Sequence, residues 1–296
     1  MRKGPYDPAV TARKEKNAEI FSETIAAIND SFYTAPSGKL VNLPPLRPML
    51  EGAECWHREQ PVVDAPEVVG GTEIVVENND CIEAAKRLVA RGYNPVMLNF
   101  ASGGHPGGGV ENGARAQEET LCRRSTLARS IYTFDAEYAR NYHYTHRKGN
   151  NYPLENLNFS AIYSPYVTFF REGLDCTFME EPFQCAVVTC AALNLNGRYS
   201  LKLTRDGNMP PQAKSITANK IRTIFRLALR HYHNALVLGA FGCGAFRNPP
   251  EEMASIFKSV LNEDEFRNKF LLVTFAIIED HNSRNVNLRA FRKVFE

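Results

Sequence analysis

Long apolar runs are missing from this 296-residue chain: none approaches the ~18 consecutive apolar residues that span a membrane. The N-terminal stretch carries Arg2, Lys3, Arg13, Lys14, Glu15 and Lys16 without an apolar core, so no secretory leader is expected there. An excess of one charge is missing as well. Thirty-five Lys and Arg stand against 33 Asp and Glu, a net charge of +2, too small to argue for nucleic acid as the primary partner. Cysteine pairing signals are absent. Cys55, Cys81, Cys122, Cys176, Cys185, Cys190 and Cys243 are odd in number, and no two have Cys-x-x-Cys spacing. They read as reduced, mostly buried thiols of an intracellular, cytoplasmic protein. His and Cys do not fall in ligand spacings, so no zinc site is expected. Internal repeats and low-complexity tracts are lacking too.

What is present is an ordinary globular balance, 44% hydrophobic and 23% charged, enough to fill a sizeable core. Residues 9–29 read as a helix, with no Pro or Gly after Pro8. Residues 34–70 hold six prolines and read as an extended surface arm. This arm is too short to bury a core of its own, so residues 1–296 are expected to form one domain, with 1–70 as its N-terminal extension. From residue 72 strands and helices alternate. Strands are expected at 72–77, 96–100, 184–191, 235–241 and 270–278. Helices are expected at 81–91, 114–130, 215–233, 250–261 and 286–295. That order predicts an α/β/α sandwich with a mixed, largely parallel central sheet. Residues 135–180 are aromatic and irregular and read as an insertion.

Ligands in such folds sit at the carboxyl ends of the strands, and two strands here run into glycine-rich loops. The run Val96-Met97-Leu98-Asn99-Phe100 leads through Ala101 and Ser102 to Gly107-Gly108-Gly109. After seven residues comes Gln117-Glu118-Glu119. The run 235–241 leads to Gly242-Cys243-Gly244-Ala245-Phe246, and then to a helix started by Pro250. Glycines let backbone approach a ligand and leave N–H groups free for anions, so two such loops could clamp a diphosphate. Neither loop carries the dinucleotide fingerprint. Its third glycine position is Asn112 counted from Gly107, and Arg247 counted from Gly242. Neither is followed by Lys-Ser/Thr, which excludes a nucleotide-triphosphate loop.

Read alone, Glu118-Glu119 is a solvated helix face. Beside a ligand loop it supplies an acid/base pair. Adjacent helical residues diverge by about 100°, so the two need different roles. Arg115, Arg123 and Arg124 lie close enough to pair with them. Cys243 is either a nucleophile or a small side chain that lets its loop tighten. His231 and His233 read as the structural close of a helix, and Glu279-Asp280-His281 as a turn or cap. Tyr138, Tyr142, His143, Tyr144, His146, Arg147, Lys148 and Tyr152 form a basic–aromatic stretch. It could stack bases, or it packs on the core.

The segments Asn99-Phe100-Ala101-Ser102, Pro106-Gly107-Gly108-Gly109 and Gly113-Ala114-Arg115-Ala116-Gln117-Glu118-Glu119, with Leu121-Cys122-Arg123-Arg124-Ser125, closely resemble the microbial-type poly(ADP-ribose) glycohydrolases. The resemblance extends to the N-terminal helix, to Val187–Ala192 and to Gly239–Phe246. It implies a macrodomain-like fold and hydrolysis of ribose–ribose bonds in poly(ADP-ribose), with no metal or cofactor. By resemblance, Glu119 protonates the departing oxygen and then activates water, and Glu118 holds the ribose hydroxyls or the 2′-linked leaving group. Gln117 orders the turn. Asn99 bonds the ribose, and Phe246 packs against it. Phe100 and Ala101 join the substrate site, and the two glycine loops hold the diphosphate. For Glu119 to be an acid at neutral pH, burial or Glu118 must raise its pKa. A monomer acting on ADP-ribosylated proteins is expected. The alternatives are a mono-ADP-ribosyl hydrolase for protein or nucleic acid, and a non-catalytic ADP-ribose reader.

Overall fold

A computed structural model describes residues 7–149, 151–154, 158–196, 201–278 and 286–296. Asp7 accepts a hydrogen bond from the Ala9 N–H, and Pro8 occupies the first turn, so helix α1 (Pro8–Asp30) starts there. The proline-rich arm is more structured than its composition implies. It holds the hairpin of β1 (Phe32–Thr34) and β2 (Leu40–Asn42), the short helix α2 (Arg47–Gly52) and strand β3 (Glu54–Trp56). Then come β4 (Glu73–Glu77) and α3 (Cys81–Ala90), which is capped by Asp80 and followed by Gly92 at φ 81°. Strand β5 (Pro95–Phe100) precedes α4 (Gln117–Arg124), α5 (Leu127–Ile131) and α6 (Ala136–Asn141). The chain continues through β6 (Ala161–Glu172), β7 (Thr177–Cys190), α7 (Pro211–Arg230), β8 (Ala235–Leu238), α8 (Pro250–Leu261), β9 (Leu272–Ala276) and α9 (Val286–Phe295).

Seven strands form one sheet in the order β3-β6-β7-β5-β8-β9-β4. The β3–β6 and β6–β7 pairings are antiparallel, and the other four are parallel. Side chains alternate across the sheet. Val96 and Leu98 of β5 join the core beneath α7, α8 and α9, whereas Met97 joins the core beneath α1, α3, α4 and α5. This is the expected α/β/α sandwich, macrodomain-like in its layering.

Three expectations need correction. Residues 135–180 are no insertion, because β6 lies inside the sheet between β3 and β7. The strand is buried on both faces, which removes the alternation that marks a strand, and Pro165 sits within it. That proline is tolerated at a bulge between Ser164 and Val167, where Tyr166 takes φ 52°. The long helix expected at 114–130 is two, α4 and α5. Ser125 is extended between them and bridges to Phe169. Strand β7 begins at Thr177, ahead of the expected 184, as the second arm of a hairpin with β6.

Candidate active site

Strand β5 ends beside the ends of β7 and β8, and the chain leaves all three at one edge of the sheet. The Ala101 N–H still donates to Cys190 O at 3.0 Å. A cleft of about 350 Å³ opens there. Phe100, Ala101 and Ser102 form its floor, with Ala192, and residues 116–119 of the α4 start form one wall. Ala240, Gly242, Gly244, Ala245 and Phe246 of the second loop form the other wall. The lining thus includes the expected Phe100, Ala101, Gln117, Glu118, Glu119, Gly242, Gly244, Ala245 and Phe246. It adds Ser102, Ala116, Ala192 and Ala240. Small, apolar or at loop starts, these four carry no chemical signal beyond adjacency to the motifs.

The glycine triplet does not do what its composition suggests. The Gly107 N–H donates to Glu118 Oε1 at 3.2 Å, and the Gly109 N–H donates to Glu119 Oε1 at 3.0 Å. The Gly108 N–H is taken by His105 O. Ser102 N–H donates to Glu118 Oε2 at 2.6 Å, and Ala116 N–H to Glu119 Oε2 at 2.8 Å. The loop is therefore a cradle for two carboxylates, and its N–H groups are not free for a diphosphate. Gly107, Gly108 and Gly109 stand behind the cleft lining. Gly108 is forced by space. A Cβ there would lie 2.5 Å from Glu119 Oε1 and 3.2 Å from Glu118 Oε2.

Ala116, the N-cap of α4, has no side-chain acceptor, so only the Glu119 half of a capping box forms. Gln117 anchors the helix start to the sheet. β8 pairs with β5 only as far as Met97. Beyond that point the Gln117 amide takes a strand's place, accepting from Phe100 N–H at 2.8 Å and donating to Leu98 O at 2.7 Å. Asn99 shares the Met97 side of the sheet, faces α4 and is fully buried. Its Nδ2 donates to Glu118 Oε1 at 3.3 Å and to Thr189 Oγ1 at 3.2 Å. Asn99 thus sits behind the carboxylate and does not line the cleft, where its ribose contact is expected.

The arginines do not pair with the two glutamates. Arg124 binds Asp80 and Glu83, and Arg123 donates to Ala114 O. Helix α1 braces the same loop. Asn17 Nδ2 donates to Gly113 O at 3.1 Å, and a Cβ on Gly113 would come within 2.0 Å of Lys14 O.

Burial is the main influence on Glu118. It outweighs the donors from Ser102, Asn99 and Gly107, is helped by the neighbouring Glu119, and pushes the carboxyl from 4.5 up to about 8. Folded Glu118 thus holds a proton that the unfolded chain releases near 4.5. Its contribution to stability is complete below that value and is lost as pH rises through about 8. Denaturant titrations should show stability falling between pH 5 and pH 8.5. Glu118→Gln should flatten that slope, and an unchanged slope in the variant would assign the effect elsewhere.

The other candidates fall outside the cleft. Burial pushes the Cys243 thiol well up, away from the thiolate a nucleophile needs, and Cys243 does not line the cleft. His233 accepts from or donates to the Tyr163 hydroxyl at 2.9 Å and is held down to about 4 by burial, while His231 stacks on the Tyr163 ring at 3.8 Å. Both lie at the opposite, amino end of β5 and β8. The tyrosines of the basic–aromatic stretch pack on the core, whereas His143, His146 and Lys148 are exposed. Tyr138 and Tyr142 each lie 4.8 Å from the Tyr132 ring, Arg129 covers Tyr144, and Leu154 N–H donates to Gly103 O. Glu279-Asp280-His281 lies outside the described residues. Among the described residues no three His, Cys, Asp or Glu converge as metal ligands, and no helix is long and apolar enough to cross a membrane.

The family model for the catalytic domain of microbial-type poly(ADP-ribose) glycohydrolase (PARG) matches residues 22–172, just over half of the chain. Among solved structures, PARG from Thermomonospora curvata is 30% identical over 95% of this chain and 100% of its own, with a TM-score of 0.79. The same enzyme bound to the inhibitor ADP-HPD is 31% identical over 94% and 99%, with a TM-score of 0.76. PARG from Deinococcus radiodurans in complex with ADP-ribose is 29% identical over 86% and 98%, with a TM-score of 0.65. A search of curated proteins finds no match.

Proposed function

The chain belongs to the microbial-type poly(ADP-ribose) glycohydrolases, and from that membership we propose how its own residues carry the reaction. The enzyme hydrolyses ribose–ribose O-glycosidic bonds in poly(ADP-ribose) and releases ADP-ribose. The observation that carries the mechanism is the pair of carboxyl groups cradled by the first loop's N–H donors at the cleft wall.

ADP-ribose lies across the carboxyl ends of the strands, with its diphosphate on the second loop. The N–H groups of Gly242, Gly244, Ala245 and Phe246 have no acceptor among the described residues, and the start of α8 follows. The distal ribose then reaches the α4 start. Its hydroxyls, and those of the leaving ribose beyond it, donate to Glu118, which favours the ionised form of that carboxyl. The proton that Glu118 gives up passes to Glu119, where the departing oxygen needs it. The glycosidic bond breaks through an oxocarbenium-like state, and ionised Glu119 takes a proton from the attacking water. Phe246 packs against the ribose. The seven cysteines form no disulfide among the described residues, which supports an intracellular, cytoplasmic setting. There a monomer, folded as one domain with α1 and the arm, acts on ADP-ribosylated proteins.

Time courses on poly(ADP-ribose) and on a mono-ADP-ribosylated peptide at equal concentration test the reading. The polymer should be cleared much faster, because a leaving ribose gives Glu118 hydroxyls to hold and a side chain does not. Equal rates would make a mono-ADP-ribosyl hydrolase the better account.

Gly244 tests the diphosphate position. A Cβ there meets nothing within 4 Å, so Gly244→Val should fold normally while its side chain intrudes on the ligand. Calorimetry should show ADP-ribose affinity reduced by about ten-fold or more. Unchanged affinity would move the diphosphate off this loop.

A further inference from the structure

Every bond that Glu118 makes in the cradle is one it accepts. Oε2 takes the Ser102 N–H, and Oε1 takes Gly107 N–H and Asn99 Nδ2 at the longer distances of 3.2 and 3.3 Å. None of these three partners could accept a proton from Glu118. Behind it, Asn99 Oδ1 is buried and meets no donor among the described residues, although the side chain is fully enclosed. Thr189 is also fully buried, and its hydroxyl only accepts from Asn99. Its hydrogen meets no acceptor among the described residues. Two mismatches thus meet at one amide, a stranded acceptor and a stranded hydroxyl hydrogen, beside a carboxyl whose three partners all donate to it.

Turning the Asn99 amide by half a turn about Cβ–Cγ exchanges Nδ2 and Oδ1 at almost no change in shape. Oδ1 then accepts from both the Thr189 hydroxyl and the Glu118 carboxyl, and only the amide N–H groups lose their partners. With Glu118 ionised, the same turn would set Oδ1 against a carboxylate, so the amide turns back. We infer that Asn99, backed by Thr189, is the acceptor that holds the Glu118 proton in the free enzyme and releases it when Glu118 ionises. Asn99 is therefore a positioning residue that sets which member of the pair is protonated. The inference rests on the reading of Glu118 and Glu119 as the catalytic pair.

Glu118 faces few other groups that could titrate. Glu119 is on its own helix, Cys122 is one turn further on, Tyr138 comes from α6 and Tyr152 from the segment before β6. Burial pushes Cys122, Tyr138 and Tyr152 up, away from the range in question.

The sign of one shift decides the matter. Asn99→Leu removes the acceptor for the protonated form, so the alkaline limb of the pH profile of kcat/KM should move down by about one pH unit. If Asn99 were only a donor to the carboxylate, its loss would move that limb up. The apolar leucine itself pushes upward, so a downward shift cannot come from it. Thr189→Val should shift the limb the same way by less, and it stands in should Asn99→Leu fail to fold. An upward or absent shift in the folded variants overturns the inference. The protonated-carboxyl infrared band that Glu118→Gln removes gives the same midpoint without turnover. If that midpoint falls in Asn99→Leu while Glu118→Gln and Glu119→Gln cleave polymer normally, the catalytic reading has failed and the proton acceptor stands.

Discussion

Glu119→Gln and Glu119→Ala will lose turnover of poly(ADP-ribose) by on the order of 10²–10⁴-fold or more, with ADP-ribose affinity nearly intact. Glu119 sits at the cleft wall, and each of its oxygens accepts one backbone N–H, from Gly109 and from Ala116. Those two bonds fix the carboxyl without using a ligand contact. In the proposed placement the diphosphate and the proximal part of ADP-ribose lie on the second loop and do not depend on them. The amide that Glu119→Gln introduces can accept only one of the two backbone N–H groups and turns its own N–H groups toward the other. That variant therefore loses the acid and sets a donor against a donor, whereas Glu119→Ala removes the acid together with both acceptors. Turnover of polymer and calorimetry with ADP-ribose, run on both variants, separate chemistry from binding. Near wild-type release of ADP-ribose by either variant would sink the assignment of Glu119.

Much of the framework was legible where a residue type is dictated by backbone geometry. Pro250 opens α8, and the buried run 96–100 is β5. The strand β6 was not legible, because it is buried on both faces and interrupted by Pro165. The two glutamates and the second loop were legible as a site through their order after two strand ends. The direction of the first loop's N–H groups was not. Glycine composition says that backbone can come close to something, and here that something is Glu118 and Glu119. The place of Asn99 follows from the alternation along β5, which puts it with Met97 on the α4 side and leaves Phe100 toward the cleft. Its partner Thr189 comes from another strand, 90 residues away, and no local pattern points to it.

Gly108→Ala will cost about 10²-fold or more in kcat, because a displacement of about 1 Å at a reacting group has that effect. The added Cβ would stand 2.5 Å from Glu119 Oε1 and 3.2 Å from Glu118 Oε2, between the two carboxyls and the backbone that cradles them. Neither glutamate can give way cheaply. Glu119 is tied to Gly109 and Ala116, and Glu118 to Ser102, Gly107 and Asn99. The φ of 58° at Gly108 adds backbone strain of about 1–2 kcal/mol. Gly38→Ala measures that strain by itself, since Gly38 also has a left-handed φ, of 83°, and meets nothing within 4 Å. A loss of melting temperature shared by the two variants is backbone strain, and the loss of kcat belongs to Gly108→Ala alone. ADP-ribose affinity should fall far less than kcat if the phosphate lies on the other loop, as proposed. A variant with wild-type kcat would show that the carboxyls need not sit where the cradle holds them. One whose affinity falls in step with its kcat would return the glycine triplet to phosphate binding.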